Sequence, residues 1–319
     1  MKTFIIKSLI FFTLFVILLG IGIFIPSKSI RDVYHQSIIT KHEYLKQDSD
    51  KQRLILVGGS NVTYGVYSPL IEEKFDITVI NTAVHVGYGL KYIMDDIKPY
   101  IQKNDIVILI PEYVHFYNNG LYGNLALIQG LYTSPENIKT LNLHQIGTVL
   151  KNIPRHSILK IRSYISSLLH DNHKKEIEKR LVFNNNGDMI SHWEQPQKKI
   201  TPKERGGKYN AKTLKLIRNF SDYVTDRGGI FYLSFPSLDR ASFSKSETAI
   251  KALHTKINKT GIAVLGTPSR YSFAVHEFYD TVNHLTKEGQ IKRTNYLIND
   301  LEKHYVQKWL QRYDIGDRN

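Results

Sequence analysis

Apolar positions along this chain follow three rhythms. The first is a continuous run: from Leu9 to Ile25 every residue is apolar except Thr13, Gly20 and Gly22. With Phe4 to Ile6 ahead of Lys7, the run reaches about 20 residues, enough to cross the hydrocarbon core of a bilayer. It ends in Ile25-Pro26-Ser27-Lys28 without an Ala-x-Ala-like cleavage site, which favours a retained anchor over a removed signal peptide. Lys28 and Arg31 follow the span as Lys2 and Lys7 precede it. The simplest orientation keeps the N-terminus inside and places the rest of the chain outside the cytoplasm, periplasmic or extracellular.

The second rhythm is the short apolar block. Leu54–Val57, Ile77–Ile80, Ile106–Ile110, Ile230–Ser234 and Ile262–Leu265 each read as a buried strand. The third is helical and fills the gaps between them: Ser68-Pro69 with Glu72 and Glu73, then Leu90–Ile101, Ala211–Thr225, Ser246–Asn258 and a long final segment Thr286–Leu310. Strands alternating with helices predict βαβ units and a parallel α/β sheet of about five strands, covered on both faces. The fourth strand is delayed, and the insertion at about 115–209 reads as mainly helical. It closes in a basic, glycine-containing stretch, 197–208, that reads as a mobile loop. The expected organisation is a cytoplasmic tail 1–8, an anchor 9–26, a polar juxtamembrane linker 27–50 that reads as a tether or a juxtamembrane helix, and one domain 51–319.

Composition narrows the function. There are no cysteines, so disulfides and thiolate metal sites are excluded. The net charge is +14, with 43 Lys+Arg against 29 Asp+Glu. That points to anionic headgroups or anionic envelope polymers. Nucleic acid is disfavoured, because no zinc-finger spacing or RNA-binding aromatic motif is present. Gly-x-Gly-x-x-Gly does not follow the first strand, which disfavours a dinucleotide site.

The chemistry sits at strand ends. Gly58-Gly59-Ser60-Asn61 closes the first strand, at the sheet edge where open α/β folds place ligands. It is not the Gly-x-Ser-x-Gly elbow, since Val62 holds the last position. Asn81 to Gly89 follows the second strand, with Gly87 able to present an unobstructed N–H and His85 reading as a packed residue. Pro111-Glu112-Tyr113-Val114-His115 follows the third, and Glu112 reads first as a group that bonds loop N–H groups. Asp280 and His284 stand four apart before the last helix, able to face one way if they share a helical turn. His276 and Glu277 lie beside them and compete for their roles. A serine hydroxyl becomes a nucleophile when a histidine takes its proton, and a carboxylate fixes that histidine.

Taken in order, these segments resemble the SGNH (GDSL-like) hydrolase and acyltransferase superfamily, over roughly residues 53–113 and 228–305. The chain's departures from the common pattern are similar to those of membrane-anchored envelope relatives that resemble the alginate acetylation proteins and the teichoic-acid D-alanyl transfer protein. The resemblance implies a flavodoxin-like three-layer α/β/α domain. It implies Ser60 as nucleophile, His284 and Asp280 as its partners, and the N–H groups of Ser60 and Gly87 as oxyanion donors. Asn61, Glu112 and Tyr113 become candidate substrate-site residues. No metal or cofactor is implied. The chain departs from the pattern in three places: Gly59 stands where Asp is usual, Pro111-Glu112-Tyr113 replaces Gly-x-Asn-Asp, and the Asp–His spacing is one residue longer. Two functions follow. One is acyl transfer or ester hydrolysis, most simply O-acetyl, on an envelope polysaccharide, with a membrane-bound acyltransferase as partner if acyl groups are handed across. The other is a catalytically inactive envelope protein that binds glycan or an assembly partner.

Overall fold

The computed structural model describes residues 1–25, 30–169 and 183–316. Five strands form one parallel sheet: β1 (Arg53–Gly58), β2 (Thr78–Asn81), β3 (Ile106–Ile110), β4 (Ile230–Ser234) and a short outer strand, Val264–Leu265. Their spatial order is second, first, third, fourth, fifth. The register pairs Ile55 with Ile80 on one side and with Val107 on the other. Every residue of β1 and β3 is buried, so both sheet faces must be covered. This explains why these strands are continuous apolar runs and not alternating ones.

Alternation along the strands divides the core in two. Ile55, Val57, Val107, Leu109 and Leu233 face one side. They meet the buried faces of helices Leu90–Ile97, Ala211–Asp226 and Glu247–Asn258. Leu54, Leu56, Ile106, Ile108 and Ile110 face the other. There they meet Ile71 of helix Ser68–Phe75, and Leu297 and Leu301 of the final helix, Lys287–Gly316. Burying each such side chain contributes about 1.5–3 kcal/mol against chain entropy.

The juxtamembrane segment takes its helical form, and helix α2 (Ile30–Lys46) is built into the domain. Tyr34, Ile38 and Leu45 join the first core cluster. Lys41 and His42 are buried on the same face, with His42 bonded to Asp96 at 2.9 Å. Arg53 makes a bidentate pair with Asp105 and also donates to Leu45 O at 2.9 Å, fastening the end of α2 to the start of β1. Positions 34, 38, 41, 42 and 45 fall on one helical face; a polar composition hides the pattern.

Among the described residues, the insertion after β3 holds the helices Ala126–Thr133 and α3 (Leu143–Leu169). Residues 183–209 contain no helix. They are irregular backbone held by long-range bonds: Asn81 N–H to Asn186 O at 2.7 Å, Met189 N–H to Thr63 O at 2.9 Å, and Lys198 N–H to Tyr279 O at 2.7 Å. Far from swinging free, the basic stretch 197–208 is fastened at both ends and in its middle, with Lys203 N–H bonded to Ser242 Oγ and Arg205 N–H to Ser246 Oγ.

Helix α1 (Lys2–Phe24) is long and apolar enough to cross a membrane, with an 18-residue window of mean hydropathy 2.6 and none of it buried. Among the described residues, its last turns touch the domain, against α3. Ser157 Oγ donates to Leu19 O at 3.0 Å and Lys160 Nζ to Ile23 O at 3.3 Å. At Gly22 a Cβ would stand 2.3 Å from Ser157 Cβ, so only glycine permits this crossing.

Candidate active site

Ser60 opens a four-residue helical turn, Ser60–Thr63, at the carboxyl end of β1. As the first residue of that turn, its N–H has no intrahelical acceptor. Two glycines make the turn fit. A Cβ at Gly58 would lie 2.7 Å from Ile110 O. One at Gly59 would lie 3.0 Å from Glu112 Oε1 and 3.1 Å from Val86 Cα, so the carboxylate of Glu112 crowds the space that a side chain at 59 would need.

Asp280 and His284 do not share a helical turn. They sit in a closed loop. Phe278 and Leu285 pair as an antiparallel bridge, and Tyr279 N–H donates to His284 O at 2.8 Å. Inside the loop Thr281 Oγ1 accepts the N–H groups of Asn283 and His284. Thr286 then caps the final helix, accepting Gly289 N–H. A Cβ at Gly289 would meet Glu277 O at 2.5 Å, so glycine lets the helix sit against the loop.

This loop brings the separated residues together. His284 Nδ1 lies 2.8 Å from Asp280 Oδ1, and His284 Nε2 lies 2.8 Å from Ser60 Oγ. Burial pushes the Asp280 carboxyl up, but the hydrogen bond and charge of His284, with Lys198 and His192 nearby, bring it below the usual carboxylate range. An ionised Asp280 only accepts. His284 therefore carries its proton on Nδ1 and leaves Nε2 free to accept from Ser60 Oγ. The side chains of His284 and Asp280 are 16% and 25% exposed, so the chain of bonds opens to solvent at one end.

Sequence reasoning missed what holds the imidazole. Tyr64 stacks on it, with ring centroids 4.1 Å apart and planes 10° from parallel. His192, from the irregular stretch, lies 5.0 Å from Tyr64 and donates through Nε2 to Leu285 O at 2.8 Å. Burial drives its pKa down to about 4, so it stays neutral. The same stretch sends Arg205 to Asn283 Oδ1 at 2.8 Å and places its charge where it acts on Glu112. Tyr64 lies four residues past Ser60, a spacing that hints at its role. His192 and Arg205 carry no local signal.

Other predicted residues fall differently. Glu112 is buried beside Gly59 and near the backbone N–H of Asn61, against the turn that carries Ser60. Burial raises its pKa, opposed by Arg205, His284 and that N–H. Asn61 is fully buried and reaches back to Ile110 O, and Tyr113 is 2% exposed within the core. Both side chains are buried beneath the strand ends. His115 is buried and neutral, its pKa lowered to about 4 by burial, and accepts Glu112 N–H. Gly87 is beside Gly59 through Val86, but its N–H is bonded to His85 Nδ1 at 2.9 Å. His85 is thus the cap of the Gly87 turn, and Gly87 is not a free donor. The exposed Asn124 stands against Gly87, its N–H on Gly87 O at 2.8 Å. Glu277 is committed to Lys292 and to Ala274 N–H.

No family model matches this sequence. No curated protein matches it either. Among the described residues, no group of three or more His, Cys, Asp or Glu side chains is arranged to hold a metal ion.

Proposed function

We propose that the protein is a serine-dependent acyltransferase or esterase, acting through Ser60, His284 and Asp280 on O-acyl groups, most simply O-acetyl, of a cell-envelope polysaccharide. The observation that carries this is the unbroken chain from Ser60 Oγ through the imidazole to Asp280. It joins residues 224 positions apart at the carboxyl edge of a parallel sheet. His284 Nε2 takes the proton as Ser60 Oγ attacks an acyl carbonyl. The alkoxide leaving group takes that proton back, and the acyl-serine remains. Water or a sugar hydroxyl then gives its proton to Nε2, attacks, and releases Ser60. Ser60 N–H is one oxyanion donor. Gly87 N–H becomes a second by exchanging His85 Nδ1 for the oxyanion, a trade of a neutral for a charge-assisted bond.

The flavodoxin-like three-layer arrangement, the SGNH resemblance and a helical insertion after β3 belong to this reading. So do α1 as a retained anchor and an extracytoplasmic domain. The basic balance of the chain suits an anionic glycan. A membrane-bound acyltransferase is the partner that would deliver acyl groups from the cytoplasm. The engaged Gly87 N–H favours the second reading, an inactive protein that binds glycan at the same edge.

A fluorophosphonate probe separates the two. It is expected to label the wild type at Ser60 and to leave Ser60→Ala unlabelled. Turnover of a small acetyl ester should fall by about 10²–10⁴-fold in His284→Ala. The Ser60→Ala/His284→Ala pair should fall little further, because the residues act as a unit. Equal labelling of wild type and Ser60→Ala removes the nucleophile and leaves the binding protein.

A further inference from the structure

Helix α3 is amphipathic in a way the domain does not use. Leu143, Ile146, Leu150, Ile158, Ile165 and Leu168 are all exposed, Leu143 to 87% and Leu168 to 67%. At 3.6 residues per turn they fall within an arc of about 120°. Such a stripe in water is costly and marks a contact surface. Ser157, where α1 crosses at Gly22, lies inside the same arc. The stripe is therefore continuous with the outer end of the apolar helix α1, the end at which the chain leaves the hydrocarbon if α1 spans it. The segment 143–169 holds no Asp or Glu, but has Lys151, Arg155, Lys160 and Arg162. Lys160 spans from the ring of Tyr132, 4.2 Å away, to Ile23 O at the end of α1. At 27 residues the helix is about 40 Å long. An apolar stripe, basic flanks and no acids are the features of a helix that lies in a membrane surface.

We propose that α3 is an interfacial helix, lying in the surface of the bilayer that α1 enters, with its stripe against acyl chains and its basic side chains against anionic headgroups. This rests on the reading of α1 as an anchor. The docked helix fixes the tilt of the domain on the membrane, which one spanning helix cannot do.

The cysteine-free chain makes the test direct. Single cysteines at Leu150→Cys, Ile158→Cys and Ile165→Cys carry an environment-sensitive fluorophore in the full chain. Phe15→Cys reports on α1, and Thr255→Cys on an exposed site of a different helix. The protein is reconstituted in phosphatidylcholine vesicles containing phosphatidylglycerol, with a nitroxide on a shallow acyl carbon. Labels on α3 are expected to be quenched several-fold more than the label at 255, and to be shielded from aqueous iodide. The quenching should weaken when phosphatidylglycerol is left out. Quenching at 15 but not at 150, 158 or 165 overturns the interfacial helix and keeps the anchor. No lipid quenching at 15 overturns the anchor, and the proposal with it. Labels shielded from both quenchers show that protein, not lipid, covers the stripe, which also overturns it.

Discussion

His284 is held by contacts that leave its reacting nitrogen alone. Asp280 takes Nδ1, Tyr64 covers a ring face, and only Nε2 meets Ser60. The Tyr64 contact is a ring stack and does not use the phenol. Tyr64→Phe is therefore expected to keep ester turnover near wild type. Tyr64→Ala should lose about tenfold, a stacking contact of about 1.5 kcal/mol at most in its positioning effect. A pH-rate profile of each variant checks it. A loss in Tyr64→Phe equal to that in Tyr64→Ala would assign the role to the hydroxyl. His115 and His192 give a stability prediction. Both have folded pKa values of about 4, below the ordinary 6.5, because burial disfavours the charged form. Between these values the unfolded chain binds more protons, so stability rises with pH across that window and is lost as pH falls from about 6.5 towards 4. Denaturant melts of His192→Gln at pH 7, 6 and 5 should show a shallower acid loss than the wild type.

At the scale of elements, helix α2 decides where the domain begins. Deleting residues 1–26 leaves α2 and its fastening to β1, and the chain should still unfold cooperatively in mild detergent. Deleting 1–50 uncovers the core face that Tyr34, Ile38 and Leu45 fill, and that chain should show no cooperative transition. Ile38→Ala in the full chain should cost about 2–5 kcal/mol by cavity formation, read from urea midpoints. The strands were legible because total burial turns them into unbroken apolar words such as Ile106–Ile110. The site was legible because Ser60 and the Asp280–His284 loop sit where strands and helices end. What stayed hidden lacks local pattern. The irregular stretch 183–209 is placed by partners far away in sequence, Asn81, Thr63, Ser242 and Tyr279. The two-residue strands Leu238–Asp239 and Ser272–Phe273 pair only because tertiary packing brings them alongside. The Asp280–His284 segment closes as a bridged loop and not as a helical turn.

At the scale of the molecule, the proposed interfacial helix predicts binding to a lipid surface of negative charge. The chain without residues 1–26 keeps α3, and it is expected to float with phosphatidylglycerol vesicles and to leave them at high salt. Flotation at low salt with neutral phosphatidylcholine alone would show that charge plays no part. The tether is short as well. Five residues separate Phe24 from Ile30, and five residues extend at most about 18 Å. A domain of this size is about 50 Å across. If α1 is the anchor, Ser60 therefore stands at most about 70 Å from the bilayer, and nearer when α3 is docked. Material deeper in a thick envelope layer lies beyond that horizon. On the proposed function, the acceptor would be met while it is still near the membrane, so the timing of modification would be set by where the polymer is assembled and not by how fast it diffuses.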